Sequence, residues 1–155
     1  MKARTLVLAG AIAVAAGAAT AQVTINQTKA LAGNVTPGDT PGFPVTLSQP
    51  GTYRLTSDLV VPQWSAGVII QSAFVTLDLN GFSIRSTNQC TANTYTQMLD
   101  CATPSQSNAH GVVSYNNHTV IRNGRIVGFP GHGIYGFGGE QLQDLMVYFN
   151  ARYGY

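Results

Sequence analysis

The chain has 155 residues, with eight Lys and Arg against six Asp and Glu, and only 9% of its residues are charged. That balance excludes the basic field of a nucleic-acid-binding protein and the acid runs of a solvated tail. The length suits one domain, and two cysteines with no other ligands at close spacing exclude a cysteine-based metal site.

Lys2 and Arg4 precede a continuous apolar stretch over residues 6–17, and Ala19-Thr20-Ala21 follows with a small-x-small pattern. This predicts a signal peptide over residues 1–21 and a mature chain starting at Gln22. The stretch is too short and too rich in Ala and Gly to fill a bilayer core, which needs about 20 apolar residues. No membrane insertion is expected after cleavage, and the predicted location is the periplasm or the exterior. Loss of Lys2 and Arg4 leaves six basic and six acidic residues, so the mature chain is formally neutral. In an oxidising compartment Cys90 and Cys101 read as one disulfide. It closes a short loop, worth about 2–3 kcal/mol in the chain-entropy model.

Residues 26–50 are rich in Gly, Pro and Thr, with turn signals at Pro37-Gly38-Asp39 and Pro41-Gly42. A single helical turn is predicted near residues 28–33, and the segment reads as a cover over one end of the fold. Short runs dominated by β-branched and aromatic residues follow at 45–47, 52–56, 59–61, 68–70, 75–79 and 82–84. In the fifth, Val75, Leu77 and Leu79 share one face while Thr76 and Asp78 share the other.

The runs repeat. Gly67-Val68 recurs 44 residues on at Gly111-Val112, then 22 on at Gly133-Ile134 and 21 on at Gly154-Tyr155. At the 44-residue offset Val75, Leu77 and Phe82 fall on Thr119, Ile121 and Ile126; Ile121 and Ile126 recur at Leu142 and Val147. A fixed period of short strands signals a solenoid, in which each coil buries its apolar face on its neighbours. The expected fold is all-β, a right-handed parallel β-helix of about three coils plus an N-terminal cap. Residues 22–66 form the cap and first strands, and residues 67–155 the coils, with a polar, disulfide-bearing insertion at 85–110. Leu77, Ile121 and Leu142 are expected in one buried column. Asn80-Gly81, Asn123-Gly124 and Asn150 are expected at corners, where Asn and Gly tolerate the left-handed conformation.

The segments 50–59 (PGTYRLTSDL), 75–84 (VTLDLNGFSI) and 121–124 (IRNG) resemble bacterial exported right-handed β-helix repeat proteins of the pectin-lyase-like superfamily. The resemblance covers essentially the whole mature chain. It implies kinship with polysaccharide lyases, glycoside hydrolases, epimerases and adhesins, but fold alone transfers no activity. The Asn-Thr-Asp triplet and adjacent Asp pair of polygalacturonase-like members are absent, as are the clustered calcium-holding acids of pectate-lyase-like members. Catalytic residues are therefore unassigned, and no cofactor or metal is expected.

Several residues remain as candidates. Gly131-His132-Gly133-Ile134-Tyr135-Gly136 has the letters of a dinucleotide fingerprint, which requires a following helix. Leu142, Leu145, Met146 and Phe149 have helical spacing that could supply one; the repeat alternatively makes these glycines corners. Asp78 is expected to project outward, with Arg122 above it as a surface ion-pair partner. His110, His118 and His132 lie at or near corners, where they either gather along one edge or stand as separate loop histidines. Trp64, Tyr95, Tyr115, Tyr135 and Phe137 either form a sugar-stacking surface or pack under the insertion. The Asn-x-Thr acceptor patterns at Asn26, Asn34 and Asn117 carry little weight in a bacterial chain.

The leading expectation for function is an exported module that binds or processes an extended polysaccharide. The alternative is a non-catalytic structural or adhesive surface protein. Because the repeat is cut at Gly154-Tyr155, the chain is also expected to be a truncated form that self-associates through its C-terminal coil.

Overall fold

A computed structural model describes residues 22–88, 90–95, 98–101 and 108–152. The expected signal peptide and the Gly154-Tyr155 echo of the repeat lie outside the described residues.

The described chain opens with β1 (Val23–Ile25) and α1 (Gln27–Ala32). Asn26 caps the helix, its side-chain oxygen accepting the Lys29 N–H at 2.8 Å. Strands β2 (Val45–Leu47), β3 (Gly51–Leu55), β4 (Leu59–Val61), β5 (Val68–Ile70), β6 (Val75–Asp78) and β7 (Ser83–Ser86) follow. A hairpin of β8 (Cys90–Asn93) and β9 (Met98–Cys101) interrupts them. The chain then resumes with β10 (Val112–Ser114), β11 (Thr119–Val127), β12 (Ile134–Gly136) and β13 (Glu140–Tyr148).

Two parallel sheets result. Seven strands lie in one, ordered β1-β3-β6-β11-β7-β4 with β13 also on β11; four lie in the other, ordered β12-β10-β5-β2. The expected all-β, right-handed β-helix of about three coils is corrected by this topology. Two parallel sheets of unequal width, with a helix and a separate antiparallel hairpin, suggest an α/β-type fold. The physical reason is that a sequence period reports register between parallel neighbours; it does not fix how many strands share a sheet. Strands β1 to β4, which precede the repeat, pair in these same ladders.

The register itself is clear. Ile121 lies opposite both Leu77 and Leu142, and Val112 opposite both Val68 and Ile134. Leu77 and Ile121 are fully buried, whereas Leu142, on an outer strand, is only partly so. One core cluster takes the inward residues of both sheets, including Val45, Val68 and Val112 from one and Leu55, Leu77 and Ile126 from the other. Burying each such side chain stabilises by roughly 1.5–3 kcal/mol.

The repeated glycines have a packing role. A Cβ on Gly67 would meet the Gly111 carbonyl oxygen at 2.4 Å, and one on Gly111 would meet the Gly133 carbonyl oxygen at 2.4 Å. They stack as a column without room for side chains and are not left-handed corners. Left-handed positions include the expected corners Asn80 (φ 51°), Gly81 (φ 83°) and Asn123 (φ 60°), and also Asp144 (φ 49°) and Phe149 (φ 49°). Asn150 is a buried bracket beside Phe149: its Oδ1 accepts the Phe129 N–H at 3.0 Å and its Nδ2 donates to the Tyr148 carbonyl at 3.2 Å.

At the N-terminal end, the Gln27 amide stands in for a neighbouring strand. It donates to the Val60 carbonyl at 3.2 Å and accepts the Val60 N–H at 2.8 Å, satisfying the free edge of β4. No helix among the described residues is long and apolar enough to cross a membrane.

Candidate functional site

Side chains alternate across a strand. In the four-stranded sheet Val68, Ile70, Val112 and Ile134 point into the core, so Ile69, Val113 and Tyr135 lie on the outer face, opposite one another in register. Val113 is buried yet is not a member of the core cluster. It lines an outward concavity together with the rings of Tyr115, Tyr135 and Phe137.

Those rings come from the ends of β10 and β12. Tyr115 and Phe137 have centroids 5.5 Å apart, Phe137 and Tyr135 meet edge to face at 5.5 Å, and Tyr135 stacks on His110 at 4.8 Å. His132 closes the group, 5.4 Å from both His110 and Tyr135. Phe137 is 63% exposed and Tyr115 53%. A concavity of about 220 Å³ opens among Ala66, Ile69, Asn108, His110, Val113, Tyr115, Tyr135 and Phe137. Exposed, contiguous apolar surface of this kind marks a contact site more often than chance.

His110 holds the group in place. Its Nδ1 accepts the His132 N–H at 2.9 Å, so the neutral ring carries its proton on Nε2. Burial lowers its pKa from 6.5 to about 4, and the charges of His132 and Arg152 act in the same direction. Gly131 is small because the His110 ring occupies its side-chain space: a Cβ there would lie 2.5 Å from Nδ1.

Of the three histidines, His110 and His132 are brought together. His118 is on a different corner, stacked on Phe74 at 4.8 Å. Among the described residues no group of three His, Cys, Asp or Glu is placed to hold a metal ion. Tyr115, Tyr135 and Phe137 come together in one group of rings, but Trp64 and Tyr95 make no ring contact with it among the described residues. The dinucleotide reading fails on its required helix, since the motif itself runs into strand β12 and the segment after Gly136 leads to strand β13. The possible helix over 140–149 is corrected with it.

Asp78 departs from the expected solvated position. It is buried, its Oδ2 pairs with Arg122 at 3.1 Å, and its Oδ1 accepts from the Asn80 N–H at 2.9 Å and the Asn123 amide at 3.2 Å. Burial pushes its pKa up, but the Asn123, Asn80 and Arg122 interactions outweigh this and hold the carboxyl below its ordinary value. The other described acids are mostly structural too. Asp39 accepts the Val35 and Thr46 N–H groups, Asp58 accepts that of Ser83, and Glu140 accepts those of Phe137 and Gly138. Asp144 alone lines an open concavity, about 390 Å³, beside Arg125, Asn123 and Met146. It has no second carboxylate in that lining, and glycoside hydrolysis needs two, about 5–10 Å apart.

Sequence reasoning missed Ile69, Val113 and Asn108 as parts of the aromatic face. The signal was present: one residue past each repeated Gly-apolar pair stand Ile69, Val113 and Tyr135. Comparison with family models, with curated proteins and with solved structures finds no match.

Proposed function

We propose that this chain is an exported module that holds an extended carbohydrate against the aromatic outer face of its four-stranded sheet. The observation that carries the reading is the continuous ring chain Tyr115–Phe137–Tyr135, exposed to solvent and anchored on the buried His110 beside a buried Val113. Aromatic faces stack on the C–H face of a pyranose, and the phenol groups and Asn108 at the rim offer partners for its hydroxyls. The signal-like residues 1–21 support export.

The test is retention on immobilised polysaccharides of several linkages. Replacing Tyr135 and Phe137 together with Ala is expected to lower affinity at least tenfold, about 1.4 kcal/mol, with the circular dichroism spectrum unchanged. Equal retention of the double variant and the parent would refute the reading.

A second reading, a structural or adhesive surface protein, is favoured by a different observation. Among the described residues β12 and β13 each have a single strand partner, leaving two free edges on one side of the molecule.

A further inference from the structure

The composition of the aromatic face narrows the ligand. All eight described residues around the concavity lack a formal charge at neutral pH, His110 included: its ring stacks on Tyr135, lies against His132 and accepts a backbone N–H at Nδ1. The described arginines lie elsewhere, Arg85 on β7 of the seven-stranded sheet. Arg122 pairs with Asp78, Arg54 donates to Asn80 and Arg125 to the Gly81 carbonyl, all about the corner at residues 80–81 and 122–125. Arg152 acts on His110 through space but does not line the concavity.

We infer, resting on the carbohydrate reading above, that this face selects a neutral polysaccharide and discriminates against an anionic one. A uronic-acid polymer carries a carboxylate on each unit. Pressing those carboxylates against Ile69, Tyr135 and Phe137 would strip their water with no guanidinium or ammonium among the described lining residues to replace it, which is costly. A neutral pyranose has no such cost. Its C–H face covers the rings while its hydroxyls stay at the rim, against Asn108, the phenols and solvent.

The shape adds a direction. A volume of about 220 Å³ falls below the roughly 300–1,000 Å³ of sites that enclose a whole small ligand. It suits one sugar ring, with the polymer continuing outside. The apolar column Ile69–Val113–Tyr135 crosses β5, β10 and β12, with steps of about 4.8 Å. The polymer axis therefore runs across the strands, and its units meet successive strands.

The experiment is affinity electrophoresis and calorimetry of the full exported chain at neutral pH and low salt. The probes are neutral β-glucan, xyloglucan and galactomannan, anionic polygalacturonate and alginate, and a proline-rich peptide, because extended peptides also dock on aromatic grooves. The expected result is binding of at least one neutral glycan, with the anionic polymers weaker by about tenfold or more. Ile69→Lys, on the outer face, is expected to narrow that gap by admitting the carboxylates. Phe137→Ala, at an exposed ring, is expected to weaken the neutral glycan without loss of fold. Polygalacturonate or alginate binding as tightly as the neutral glycans, and released by high salt, overturns the inference while leaving the carbohydrate reading in place. Binding of the peptide alone, or of none of the probes, overturns both.

Discussion

At the scale of single residues, two positions bear most directly on stability. A Cβ at Gly111 would sit 2.2 Å from the Ile126 Cγ2 and 2.4 Å from the Gly133 carbonyl oxygen. Both belong to the packed interior, so the backbone itself must move. Gly111→Ala is expected to destabilise by about 1–3 kcal/mol or more, read as a fall in the urea midpoint. His110 sets a pH window. Its folded pKa of about 4 lies below the ordinary 6.5, so between those values the unfolded chain holds a proton that the folded chain does not. Stability is then full above pH 6.5 and falls as pH drops toward about 4. His110→Asn is expected to flatten that part of the profile in parallel denaturation curves, and an unchanged slope would count against it. Asp78 acts separately. Its depressed pKa means its contribution persists until pH falls below the ordinary carboxylate range.

At the scale of elements, β13 shows both what the sequence reveals and what it hides. Strands 45–47, 59–61 and 68–70 are legible to the residue, because short runs rich in β-branched and apolar residues suit pleated strands. In β13 alternation breaks at Asp144, whose left-handed backbone turns the strand at the same register position as Asn123 in β11. Leu142, Leu145 and Val147 then face the core with one gap of three, which imitates a helix, while Met146 is exposed. The hairpin of β8 and β9 reads in the sequence only as a polar insertion, since residues 85–110 show no sustained alternation. Its two strands nevertheless put Cys90 opposite Cys101. Directly opposed residues of an antiparallel pair have Cα atoms about 4.5–5.5 Å apart, within the roughly 4.4–6.8 Å that a disulfide spans. Thiol titration of exported protein, denatured without reductant, is expected to find no free thiol; two free thiols would refute the bridge. The candidate site was half legible for a related reason. Rings at 115, 135 and 137 are conspicuous as residue types, but their gathering depends on register across β10 and β12, which only the repeat encodes.

At the scale of the molecule, the two ends of the sheets are unlike. The β4 edge is satisfied by Gln27, whereas β12 and β13 are free on one side among the described residues. Leu142, Leu145 and Val147 are only partly buried there, and Met146 and Tyr148 are exposed. Free edges of this kind pair with other chains unless charge or proline blocks them. The 155-residue chain is expected to self-associate with rising concentration in sedimentation velocity, and Val147→Lys to suppress this. A parent chain that stays monomeric throughout would refute the expectation. The hairpin crossing has a different consequence. Six residues join β4 to β5 (62–67) and six join β11 to β12 (128–133), yet residues 87–111 span the equivalent gap between β7 and β10 with the register of Val68, Val112 and Ile134 intact. Closing a loop costs only about 0.6 kcal/mol more for each doubling of its length. The glycine column re-engages the chain on its return, since the Gly67 N–H donates to the His110 carbonyl at 2.9 Å. This crossing is thus a permissive seam: lineages can lengthen, shorten or replace what it carries, and an engineer can splice a foreign peptide there, while the sheets on either side keep their alignment.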